Sequence, residues 1–251
     1  MKKAFIWFIF GLCGCVTPLK IPPKFKPTLI TTPDFDFAVW QKIEQPAAPY
    51  KIYIEGDGYA FNSRGIPTSN PTPRGTFMRS VAFGDSHPNV VYMARACQFV
   101  QNKKCEQKYW TDGRFAPEII TAQSDAIKQI IRGNSVTLIG FSGGAQIAGL
   151  VAVTHPEIKV SKIITIGGNL DHPAWTAHHR VPPLENSADL NDYRDKFAQI
   201  AQIHYVGSDD MVMPPFLNEN FAADKQTVIV VEGATHNSGW DKVVPQIRAS
   251  D

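Results

Sequence analysis

The chain has 251 residues, a formal net charge of +2, and 19% charged against 43% hydrophobic side chains. That is enough apolar material for one large core or two small ones. The charge is nearly balanced and no long basic run occurs, so the electrostatic footprint of a nucleic-acid partner is missing.

In chain order, Lys2 and Lys3 precede an apolar run from Ala4 to Leu12. The run is too short to cross a bilayer as a stable helix and reads as a signal peptide over residues 1–14. Leu12-Cys13-Gly14-Cys15 resembles the lipobox of bacterial lipoproteins, although Cys13 stands where Ala or Ser is usual. The resemblance implies cleavage before Cys15, acylation of its sulfur, and a membrane partner reached through that lipid. It places the protein at the bacterial cell envelope. Val16 after the cysteine, rather than Asp, implies the periplasmic side of the outer membrane. An ordinary secretory signal and a weak membrane anchor are the competing readings. Residues 15–33, rich in Pro, Lys and Thr, are expected to form an extended tether ahead of a domain over 34–251.

Cys97 and Cys105 are the remaining cysteines. In an oxidising compartment they are expected to form a disulfide, which for so short a loop contributes roughly 2–3 kcal/mol. Two free buried thiols are the alternative. No histidine or second cysteine pair accompanies them, so they give no metal site. His172, His178 and His179 lack a supporting carboxylate or cysteine cluster, and no metal is expected there either.

The remainder alternates strand and helix signals. FDFAVWQKI alternates apolar and polar residues, as an edge or half-buried strand does, and YKIYIEGDG is a strand ending in a glycine turn. Residues 61–79 read as a loop, and NVVYMARA as the next strand. Ile119, Ile120, Ala126, Ile127, Ile130 and Ile131 recur at helical spacing before Gly133. SVTLIG is a continuous apolar strand of the kind covered on both faces. A helix stopped by Pro156 follows, then the strand VSKIITIGG. Residues 169–191 read as an irregular insertion able to cover a site. The short helix YRDKFAQI, the strands AQIHYVG and TVIVVEG, and a closing helix complete the pattern. Strands separated by helices predict an open, mostly parallel α/β sheet.

Gly140-Phe141-Ser142-Gly143-Gly144 has the form G-x-S-x-G, between a predicted strand and a predicted helix. A turn that sharp needs glycines and displays Ser142 at the sheet's carboxyl edge. It also leaves the Gly143 N–H free to donate to an oxyanion. A serine nucleophile needs a base and the base an orienting acid. Asp209 and Asp210 follow one later strand and His236 follows the next, on the same edge.

These motifs together resemble the α/β-hydrolase family. GSDD followed by Val212 and Pro214 resembles its acid loop and selects Asp210 over Asp209; GATH resembles its histidine loop. The resemblance implies a Ser142–His236–Asp210 triad, an acyl-enzyme mechanism and no cofactor. The second oxyanion donor is expected from IEGDGYAF, where Glu55-Gly56 replaces the family's usual His-Gly. By position the donor is the Asp57 N–H, with Gly58 the second choice. The EGDG loop, NVVYMARACQ, the second cysteine and YWTDGRF also resemble a group of bacterial α/β-hydrolase-like lipoproteins, which carries no substrate with it.

The expected partner is a small ester or other acyl substrate. An acyltransferase or a peptidase would use the same residues, and a non-catalytic envelope lipoprotein would use the fold to bind a partner. Glu55 with Asp57 as a glycosidase-like acid pair is the least favoured chemistry. Arg95 and Arg114 read as structural ion-pairing groups before substrate-orienting ones.

Overall fold

A computed structural model describes residues 19–222 and 227–250. The lipobox, Cys15 included, lies outside the described residues. Eight strands form one sheet: β1 (Lys26–Thr31), β2 (Asp36–Ile43), β3 (Tyr50–Ile54), β4 (Asn89–Met93), β5 (Val136–Phe141), β6 (Val160–Ile166), β7 (Ala201–Gly207) and β8 (Val228–Val231). Their order is β1-β2-β4-β3-β5-β6-β7-β8. The pairs β1/β2 and β2/β4 are antiparallel and every other pair is parallel.

The central strands β3, β4 and β5 are buried throughout, so they read as apolar runs rather than alternations. Helices cover both faces. On one face α2 (Pro117–Ile131), α3 (Gly143–Thr154), α5 (Arg194–Phe197) and α6 (Pro215–Phe221) pack against Ile52, Ile54, Met93, Leu138 and Ile163. On the other, α1 (Phe77–Phe83) and α7 (Val244–Ala249) bring Met78, Val81, Ala82 and Ile247 onto Tyr53, Tyr92, Ile139 and Ile164. Among the described residues no helix is long and apolar enough to cross a membrane.

Three expectations need correction. Residues 26–31, assigned to the tether, are strand β1; its residues pair with β2 from Lys26↔Gln41 to Thr31↔Asp36. β1 is mostly exposed, and a solvated edge strand has no apolar run to announce it. The half-buried β2 is therefore second from the edge. The loop over 61–79 ends early, because α1 begins at Phe77, and seven residues give too short a period to read. The irregular segment contains α4 (His172–His179), capped by the Asp171 side chain, which accepts from the Ala174 N–H at 2.9 Å.

Candidate active site

The sheet's carboxyl edge assembles the site. Between β5 and α3, Ser142 has φ 51° and ψ −122°, a strained turn that lifts the hydroxyl clear of the backbone. The flanking glycines are sterically required. A Cβ on Gly140 would lie 2.5 Å from the Ala145 nitrogen, and one on Gly144 would lie 2.5 Å from the Ile54 oxygen. The second contact shows how closely α3 approaches the end of β3.

Ser142, His236 and Asp210 meet there. His236 Nε2 lies 3.1 Å from Ser142 Oγ, and Nδ1 lies 2.8 Å from Asp210 Oδ2. A carboxylate only accepts, so Nδ1 carries the proton and Nε2 is left to accept from the serine hydroxyl. Asp210 is buried, and its Oδ1 accepts from the Val212 and Met213 N–H groups, each at 2.8 Å. The carboxylate is thus held by its own loop. Asp209 is exposed and faces Ser208 Oγ at 3.0 Å. The imidazole stacks on Phe141 at 5.1 Å, and Trp240 Nε1 donates to the His236 carbonyl at 3.2 Å. Neither aromatic partner was legible in the sequence, since each is an ordinary apolar residue until the chain folds.

The expected oxyanion groups adjoin the serine. A Cβ on Gly56 would lie 3.1 Å from Ser142 Cβ, which places this loop against the nucleophile. Among the described residues, the Asp57 and Gly143 N–H groups have no protein acceptor. Gly58, the second choice, also lines the cleft; its φ of 68° and the Pro71 and Gln98 atoms beside its Cα leave room only for glycine. Glu55 points inward: Tyr92 Oη donates to its Oε2 at 2.6 Å, and the Gly56 N–H donates to its Oε1 at 3.0 Å. Burial pushes this carboxyl above its ordinary pKa.

Asp57 forms a second charged centre. Its carboxylate accepts from Arg95 Nη1 and from Arg114 Nη1, the latter at 2.6 Å. Burial works to raise its pKa, but Arg114 and Arg95 outweigh that and hold the carboxyl below its ordinary value. The acid-pair reading therefore fails: Glu55 is turned into the core and Asp57 is tied to two guanidinium groups. Cys97 and Cys105 are disulfide-bonded, with Cα atoms 5.6 Å apart.

A cleft of about 740 Å³ opens over Ser142 and His236, with Tyr59, Phe61, Phe77, Arg114 and Trp175 among its walls. Trp175 comes from α4, so the insertion does reach the site. Its Nε1 donates to the Val212 carbonyl at 2.8 Å, tying α4 to the acid loop.

A nucleophile elbow with an acid and a histidine after the next-but-one and last strands, on this sheet order, defines the α/β-hydrolase fold. Solved structures agree. The chain is similar to a candidate lipase from Acinetobacter baumannii AYE (TM-score 0.61, 10% identity, 89% of this chain and 90% of that one). It is similar to XC6422 from Xanthomonas campestris, described as an α/β serine hydrolase without a lid (TM-score 0.54, 12%, 92% and 93%). It is also similar to Est1E from Butyrivibrio proteoclasticus (TM-score 0.56, 14%, 88% and 94%). At such identities the likeness is one of fold. By sequence the chain matches no family model and no curated protein.

Proposed function

We propose that the protein is a serine hydrolase that cleaves carboxylic esters through an acyl-enzyme, tethered by a lipid on Cys15 to the bacterial cell envelope, on the periplasmic side of the outer membrane. The observation that carries the chemistry is the hydrogen-bonded line Ser142–His236–Asp210 at the floor of an open cleft. His236 Nε2 takes the Ser142 proton as Oγ attacks the substrate carbonyl. Asp210 holds the imidazole in the required tautomer and stabilises its protonated form. Negative charge develops on the carbonyl oxygen, where the Gly143 and Asp57 N–H groups donate to it. His236 then returns the proton to the leaving alkoxide. A water activated by the same nitrogen releases the acid and frees Ser142. Esters are preferred to amides by fold analogy, with the candidate lipase from Acinetobacter baumannii AYE as the supporting likeness. The lipobox at Leu12–Cys15 supports the anchor.

A fluorophosphonate probe tests the chemistry. Folded wild type labels and Ser142→Ala does not; failure of folded wild type to label ends the reading. Fractionation tests the anchor. Cys15→Ala is expected to move the protein out of the membrane fraction, and an unchanged distribution overturns lipidation there.

A further inference from the structure

Resting on the hydrolase reading, we propose that Arg95 and Gln98 are positioning residues for the oxyanion-binding loop, and that Asp57 serves that loop through its side chain as well as its backbone. The loop cannot position itself. Glycines flank Asp57 on both sides, so the peptide that carries the donor has no packed neighbour side chains of its own. Its anchors arrive from elsewhere. Gln98 Nε2 donates to the Gly56 carbonyl at 2.9 Å, fixing the plane of the peptide that carries the Asp57 N–H. Gln98 Oε1 accepts from the Arg95 N–H at 3.0 Å, so this one side chain links the two segments. Arg95 Nη1 donates to Asp57 Oδ1, and Arg95 Nη2 to the Arg114 carbonyl. Arg114 closes the ring from its own loop, with Nη1 on Asp57 Oδ2 at 2.6 Å and Nε on the Thr111 carbonyl at 2.7 Å. Arg95, Gln98 and Arg114 are buried at 5%, 1% and 6% exposure, while the Asp57 carboxylate is 24% exposed, so the donors are shielded from solvent and the acceptor meets it only on the cleft side.

The same pair reaches the other donor. A Cβ on Gly143 would overlap Asp57 Oδ1 and lie 2.8 Å from Arg95 Nη1. Gly143 is bare at the place where the Asp57–Arg95 pair rests against it. Both proposed oxyanion donors are thus registered on one partly buried ion pair, and the distance between them is set by it. Arg95 and Gln98 sit on either side of Cys97, whose disulfide to Cys105 closes the segment. The arrangement supplies what a preorganised oxyanion site needs: donors fixed before charge develops. A displacement of about 1 Å in such a group can cost about 10²-fold in rate.

Gln98→Glu keeps the acceptor for the Arg95 N–H but cannot donate to the Gly56 carbonyl, and Arg95→Lys keeps the charge but loses the fork. In each, kcat on a short p-nitrophenyl ester is expected to fall about 10²-fold with KM within threefold. The Ki of an alkyl trifluoromethyl ketone, whose hemiketal oxyanion occupies the same site, should rise by a similar factor. Asp57→Asn, nearly isosteric, makes the same measurement if either variant fails to fold. Unchanged kcat and Ki overturn the proposal. So does a loss of activity that follows melting temperature alone while Ki stays at the wild-type value. Absence of ester turnover and ketone binding in folded wild type would instead overturn the hydrolase reading beneath it.

Discussion

The two halves of the site are built differently. Ser142, Asp210 and His236 are held chiefly by the turns they stand in: a glycine-flanked elbow, two N–H groups of the acid loop, and a histidine loop backed by Trp240. The Glu55–Gly58 loop is held by partners far along the chain, with Gln98, Arg95 and Arg114 lying 42, 38 and 57 residues from the groups they bind. The first half is held by local backbone geometry, the second by long-range hydrogen bonds and ion pairs from buried arginines. Substitution should therefore give different signatures in the two: loss of proton transfer in the first, loss of oxyanion stabilisation in the second.

The largest effect belongs to the triad. Asp210→Asn leaves the Val212 and Met213 N–H groups an acceptor at Oδ1 but can present an NH₂ to His236. The imidazole is then favoured in the tautomer with Nδ1 as acceptor, and Nε2 can no longer take the serine proton. The kcat on a short ester should fall by roughly 10⁴-fold with little change in melting temperature. A fall of less than tenfold would show that Asp210 does not orient this base.

The same contrast explains what the sequence made legible. The elbow, the acid loop and the histidine loop are each spelled by neighbouring residues, because each is a solution to a local turn. The continuous apolar run of β5 announced a central parallel strand for the same reason. Gln98 carries no such mark: an isolated glutamine acquires its role only when β4 and β3 bring its segment beside Gly56. The position of Asp57 beside the nucleophile was legible from its loop, yet its carboxylate's two arginine partners and its contact with Gly143 were not. β1 was missed because an exposed edge strand has no need of apolar residues, and α4 because eight residues make barely two turns.

Removing the disulfide sharpens the comparison. Paired Cys97→Ala and Cys105→Ala substitutions free the segment carrying Gln98 and should lower stability by roughly 2–3 kcal/mol, read by urea unfolding. Cys97 has φ 68° and Phe99 has φ 61°, so the freed segment also has strained backbone to relax. If the segment only adds stability, kcat under folding conditions should match wild type. If it positions the oxyanion loop, kcat falls further than the unfolded fraction accounts for, while Asp210–His236 geometry, read from the imidazole proton resonance, stays unchanged.

Acid provides the gentlest separation of the halves. His204 lies in β7, the strand that leads to Asp210, fully buried between Thr165 Oγ1 at 2.9 Å and Gln202 Oε1 at 2.9 Å. Burial lowers its pKa from 6.5 to about 4, so the fold selects the neutral ring. Between those values the unfolded chain binds the proton and the folded chain does not. The stabilisation is therefore complete above pH 6.5, is lost as pH falls from there to about 4, and amounts to about 2 kcal/mol lost by pH 5. Asp57 loses its contribution in the same direction but at lower pH: its lowered pKa means that the loss begins only as pH falls through the ordinary carboxylate range, so its ion pairs persist through most of this interval. Burial lowers the pKa of His172 in the same direction as His204 and raises that of Glu55, so the total pH profile mixes several groups. The difference between wild type and His204→Gln isolates the strand. Plotted against pH, the gap in unfolding free energy should change by about 2 kcal/mol between pH 7 and pH 5, and a gap independent of pH would show that His204 is not held neutral.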